Sequence, residues 1–119
     1  MFLGYNTNGL AHHDLFNAVE LLAELGYRGV AITIDHNALP PHDNNADRNI
    51  ARLQKLLEQY QMRSVVETGA RFLLNPRVKH EPTLLSEDRR RRIEFTKYAI
   101  ALAARLGSDC VSLWAGVLR

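Results

Sequence analysis

The chain has 119 residues, 46% of them hydrophobic and 24% charged. This is ordinary globular composition, fits one domain over 1–119, and lets about two-thirds of the unfolded surface be buried. A net charge of +2 and a pI near 8.9 are too weakly basic to argue for nucleic acid, and the short apolar stretches exclude a membrane-spanning helix.

The opening Met1-Phe2-Leu3-Gly4-Tyr5 has neither the basic nor the long apolar region of a signal peptide, and the single Cys110 allows no internal disulfide. A reducing compartment, the cytoplasm, is the expected location.

Residues 2–6 form a short apolar run that breaks at the turn-rich Asn6-Thr7-Asn8-Gly9. From Asp14 the pattern becomes helical, with Leu15, Val19 and Leu22 on one stripe, widened by Phe16 and Leu25, and Gly26 as a left-handed stop. Residues 29–35, Gly-Val-Ala-Ile-Thr-Ile-Asp, read as a strand buried on both faces of a parallel sheet. Pro40-Pro41 closes a loop, and Asn44 or Asn45 caps a second helix with Ile50, Leu53, Leu57 and Tyr60 inward. A third strand spans 64–67, and a polar loop with Pro76 and Pro82 follows it over 74–85. Ser86 caps the third helix, with Glu87 and Asp88 in its first turn. Its stripe is Phe95, Ala99, Leu102 and Leu106, Gly107 ends it, and 110–114 is the fourth strand. Ala23, Leu25, Gly26 and Val30 recur 81 positions on as Ala104, Leu106, Gly107 and Val111, so one helix-to-strand corner is used twice. Strands alternating with helices imply a parallel sheet with right-handed crossovers.

Parallel α/β folds place their chemistry at the carboxyl ends of the strands. Asn6, Asp35-His36, Glu67 and Trp114 occupy those ends. Asp35-His36 suits a polar ligand or a divalent metal, against the alternative of a turn-capping Asp beside a solvated His. Glu67 follows two valines, so its carboxylate needs a partner, with Arg63 and Arg71 nearest in sequence. Arg71 and His80 can donate to phosphate or sugar hydroxyls, as can Lys79 more weakly, or they can face solvent. His12, His13 and His42 are weak ligand candidates. Trp114 can wall a sugar ring or fill the core, and Cys110 reads as a small buried hydrophobe. Arg89, Arg90, Arg91 and Arg92 are consecutive on a helix, point in different directions, and read as a solvated surface. The chain has no Gly-x-Gly-x-x-Gly, Walker loop, Gly-x-Ser-x-Gly elbow or Cys cluster, which argues against nucleotide-dependent and serine-nucleophile chemistry.

Taken together, the chain resembles the xylose isomerase-like TIM-barrel superfamily, which includes sugar phosphate isomerases and epimerases and the endonuclease IV-like AP endonucleases. The resemblance rests on Gly4-Tyr5-Asn6-Thr7-Asn8-Gly9, Leu25-Gly26-Tyr27-Arg28-Gly29-Val30, Thr33-Ile34-Asp35-His36 and Val66-Glu67-Thr68-Gly69-Ala70-Arg71, then Lys79-His80-Glu81-Pro82-Thr83 and the stretch from Leu106 to Trp114. It implies the N-terminal half of a (β/α)8 TIM barrel: β-α-β-α-β-α-β with parallel strands. It also implies a divalent cation (Mn, Mg, Co or Zn) whose Glu, Asp, His and Glu ligands come from later strands, leaving no metal ligand here. In a full-length parent the expected chemistry is metal-assisted proton transfer on a sugar or sugar phosphate. Asn6, Asp35, His36, Glu67, Arg71, His80 and Trp114 would then shape the substrate pocket, and the isolated chain would be inactive.

Two other readings stand beside this one. An endonuclease IV-like nuclease draws zinc-binding histidines from early strands, where this chain has Glu67, and its modest charge disfavours DNA. Alternatively, the chain is an inactive fragment or a self-associating binding half-barrel, a homodimer formed through exposed strand edges. A doubly wound open sheet also fits four parallel strands.

Overall fold

In a computed structural model, which describes residues 1–118, four parallel strands stand in the order in which the chain makes them. They are β1 (Gly4–Asn6), β2 (Gly29–Thr33), β3 (Arg63–Glu67) and β4 (Val111–Ser112). The crossovers are α1 (Leu15–Glu24), α2 (Ala46–Gln59) and α3 (Arg90–Leu106), with a 3-10 turn, Thr7–Leu10, after β1. Each strand pairs with its neighbour in sequence. That order is the winding of a partial TIM barrel. A doubly wound sheet reverses direction at a switch point, so that alternative falls.

The core lies between the sheet and the helices. Val30, Ile32, Ile34 and Val66 point from the sheet into Val19, Leu22, Leu53, Leu57, Phe95, Ala99 and Leu102, all at most 4% exposed. Strand alternation sends Gly29, Ala31 and Thr33 to the other face, beside Arg63, Val65 and Glu67. There the Phe2 ring covers Gly29 so closely that an added Cβ would sit 2.7 Å from it. A groove of about 320 Å³ runs along this helix-free face, lined in part by Phe2, Asn6, Ala31, Arg63 and Val65.

All three helices end alike. Gly26 (φ 93°) and Gly107 (φ 66°) take the left-handed conformation, and the next N–H donates back five residues, Tyr27 to the Leu22 carbonyl and Ser108 to that of Ala103. The repeated corner read from sequence is thus one backbone device. α2 uses it as well, with Met62 donating to the Leu57 carbonyl, but Gln61 (φ 52°) stands where glycine is expected. Leu25 lies beyond α1 and is 66% exposed, so it does not widen the buried stripe.

Several expected boundaries move. β2 stops at Thr33 because Asp35 and Ala38 exchange backbone hydrogen bonds that close a turn. α2 begins after Asn45, whose side chain makes no cap bond, while the Asp43 carboxylate accepts from the Asn45 N–H. Ser86 does not cap α3; its hydroxyl donates to Glu81 and accepts from the Thr83 N–H, so it closes a loop, and α3 starts at Arg90. β4 is only two residues long. Cys110 precedes it and is exposed, because it faces the helix-free side of the sheet rather than the core.

Candidate functional site

The strand ends bring three pairs of side chains to the carboxyl face. Asn6 and Thr33 form the first: the Thr33 hydroxyl donates to Asn6 Oδ1 at 2.7 Å, and the same oxygen caps the 3-10 turn by accepting from the Asn8 N–H. The Asn6 amide nitrogen has no hydrogen-bond partner among the described residues. Thr33 was legible in principle, since Ala31, Thr33 and Asp35 alternate onto one face, but continuous apolar neighbours hid that period.

Asp35 and Arg71 form the second pair, at 2.8 Å, with the Asp35 carboxylate also accepting from the His36 N–H at 2.8 Å. Partial burial works to raise the Asp35 pKa, but the Arg71 bond and the His36 N–H outweigh it and hold the carboxyl below its usual range. Asp35 lines a cavity of about 20 Å³ with Thr7, His13 and Asn37, room for about one water. His36 turns away from it, into a separate groove with Phe16, Pro40, His42 and Asp43. The sequence-adjacent Asp35 and His36 therefore do not act on one spot.

The third pair is His80 with Trp114, packed edge to face at 5.1 Å between ring centroids. His80 Nδ1 lies 2.9 Å from the Gly69 carbonyl. A carbonyl only accepts, so Nδ1 carries the hydrogen and donates to it, which leaves Nε2 as the ring nitrogen not engaged by the backbone. Trp114 lies beyond β4 and is 41% exposed, which rules out the core-filling role.

Glu67 stands between these pairs, level with Thr33 on one side and Ser112 on the other. It is half-buried, and its carboxylate has no hydrogen-bond or ion partner among the described residues. Neither expected arginine reaches it, because Arg71 pairs with Asp35 and Arg63 with Asp109. Lys79, His12 and His13 are exposed.

Arg92 overturns the reading of the arginine run. Arg89, Arg90 and Arg91 are exposed, but Arg92 is 1% exposed and donates to the carbonyls of Pro82 (2.8 Å), Thr68 (2.9 Å) and His80 (3.0 Å). Burial pushes its pKa down while the nearby charge of Glu81 opposes that shift. Only its place on the inward stripe, three positions before Phe95, could have marked it from sequence.

The divalent cation implied by the resemblance does not fit these residues alone. No group of three His, Cys, Asp or Glu among the described residues is close enough to hold a metal ion. No helix among them is long and apolar enough to cross a membrane.

No curated protein matches the chain significantly. A solved structure described as a D-tagatose 3-epimerase-like protein superposes with a TM-score of 0.70 at 20% identity, over 100% of this chain and 39% of that one. The chain thus spans well under half of the length of that relative, and the likeness concerns the fold. The family model for the xylose isomerase-like TIM barrel matches residues 19–119. With strands, order and crossovers in agreement, the chain belongs to the xylose isomerase-like TIM-barrel family.

Proposed function

We propose that this chain supplies the substrate-pocket half of a sugar or sugar phosphate isomerase or epimerase. In this reading, the groups that perform metal-assisted proton transfer are contributed by further strands of a complete barrel. The observation that carries it is the half-buried Glu67, without a partner among the described residues and set in register between Thr33 and Ser112 on the face that also holds His80 and Trp114. A carboxylate accepts from vicinal hydroxyls, the Asn6 amide donates to them, and the face of a partly exposed indole covers the apolar side of a sugar ring. The fold likeness to a D-tagatose 3-epimerase-like protein supports the same chemistry. Arg71 is already paired with Asp35, so a phosphate group would have to find its cation elsewhere in the barrel.

Trp114 is the single tryptophan, so its emission reports on this face alone. Titration with D-tagatose should give a saturable change in emission, and Glu67→Gln should weaken it by about tenfold, the loss of one charged hydrogen bond. No change at any sugar concentration, or an unaltered curve in the variant, contradicts the assignment.

A second reading concerns assembly. β1 and β4 are the two edge strands, and exposed apolar side chains flank them in sequence, Phe2 and Leu3 before β1 and Leu113 after β4. This favours edge-to-edge pairing of two copies of the chain. Sedimentation should find a dimer that dissociates when Leu3→Lys and Leu113→Lys are combined; a monomer at all concentrations removes this reading.

A further inference from the structure

We propose that Arg92 is a positioning residue for His80 and Trp114, holding the loop between β3 and α3 in the shape that presents them to the carboxyl face. Its role as part of a sugar site rests on the reading above; its effect on the two rings does not.

The loop between β3 and α3 has no regular structure of its own. Between Glu67 and Arg90 no strand or helix forms, and bonds within the loop, such as Glu81 N–H to the Val78 carbonyl, satisfy only some of its backbone polar groups. Arg92 meets three of them with one planar group: the Thr68 carbonyl at the loop's start, the His80 carbonyl near its middle and the Pro82 carbonyl further on. A guanidinium offers five N–H donors in a fixed fork, so its bonds lock the relative positions of the three carbonyls. α3 supplies the rigid base, with Phe95 and Ala99 anchored in the core behind it.

Each clamped point leads to a ring. The His80 backbone has a positive φ of 66°, which a histidine does not favour unaided, and its N–H donates to the Arg71 carbonyl. Clamping Thr68 and His80 together brings the His80 ring within reach of the Gly69 carbonyl, which fixes the tautomer. The Thr68 hydroxyl donates to the Ser112 carbonyl at 2.7 Å, and the Leu84 N–H donates to the Ala115 carbonyl at 3.1 Å. Thr83, next to the clamped Pro82, packs directly against Gly116. Trp114 is thereby held from both sides, through Ser112 and through Ala115.

The test compares Arg92→Lys and Arg92→Met with Leu102→Ala, which weakens the packing of the same helix at a buried site away from the three carbonyls. Long-range proton–nitrogen NMR reads the His80 tautomer, with His80→Gln to assign it, and fluorescence reads Trp114; neither requires sugar. Lysine keeps the charge but not the fork. Both Arg92 variants should therefore lose the Nδ1–H pattern of His80 and show red-shifted Trp114 emission, while Leu102→Ala keeps both. Unchanged signals in a folded Arg92→Lys protein overturn the proposal, as does equal loss in Leu102→Ala. An Nε2–H tautomer in the unaltered protein overturns it whichever variants fold. If neither Arg92 variant folds, hydrogen exchange at the Arg92 Nε–H of the unaltered protein decides: protection supports the clamp, and exchange as fast as at the exposed Arg91 refutes it. Failure to bind D-tagatose would leave these signals untouched, so the two readings fail separately.

Discussion

Asp35 and Glu67 stand at the ends of adjacent strands, but among the described residues only Asp35 has an ion partner. With both partners partly open to water, the Asp35–Arg71 pair contributes about 1 kcal/mol. The Asp35 carboxyl ionises more readily in the folded chain than in the unfolded one. That stability is therefore fully present above the ordinary carboxyl value of 3.8 and is lost as pH falls through the lower folded value. Urea unfolding should show Asp35→Asn less stable by about 1 kcal/mol at neutral pH, with the gap closing below about pH 4; a gap that persists in acid would mean the charge is not its source. Glu67→Gln removes no hydrogen bond or ion pair among the described residues, so it should change stability by less than about 0.5 kcal/mol even as it weakens sugar binding. A larger loss would reveal a structural role for Glu67. Sequence could place both residues at strand ends, because the buried runs before them end there. It could not say which arginine pairs with which acid: Arg63 and Arg71 flank Glu67 closely in sequence but reach Asp109 and Asp35 across the fold.

Among the elements, α1, α2 and α3 were legible from their apolar stripes, and two of their three ends from Gly26 and Gly107. The end of α2 was not, since Gln61 carries no turn signature, yet the backbone there takes the same left-handed form. A side chain in that conformation costs about 1–2 kcal/mol, offset in part by the greater unfolded freedom of glycine. Gln61→Gly should thus stabilise the protein by about 0.5–1 kcal/mol in thermal unfolding. Destabilisation would mean that the Gln61 side chain makes a contact worth more than the strain. The start of α3 was misplaced for the opposite reason: Ser86-Glu87-Asp88 looks like a helix cap, but Ser86 is taken by Glu81 and Thr83. Local signals name the groups that can bond, and tertiary packing decides which do. Arg92 shows the same limit, because only the folded loop creates the three carbonyls that make a buried charge tolerable.

For the molecule as a whole, sequential parallel pairing with all three helices on one side leaves the other side of the sheet open, with polar strand ends at its rim. In a complete barrel this face, with Gly29, Ala31 and Val65, would look inward. The fold class was readable because alternation of strand and helix leaves few topologies, and strand order then selects the barrel. The site was readable only as positions on a rim, since pairing across strands depends on register. As half of a sugar pocket, this rim is proposed to bind sugar. Amide chemical-shift mapping of the chain during a ketohexose titration tests it most directly. Shifts concentrated at Asn6, Thr33, Glu67, Thr68, His80 and Trp114 are the predicted result; shifts confined to the opposite end, around Tyr27 and Ser108, or none at all, would contradict it.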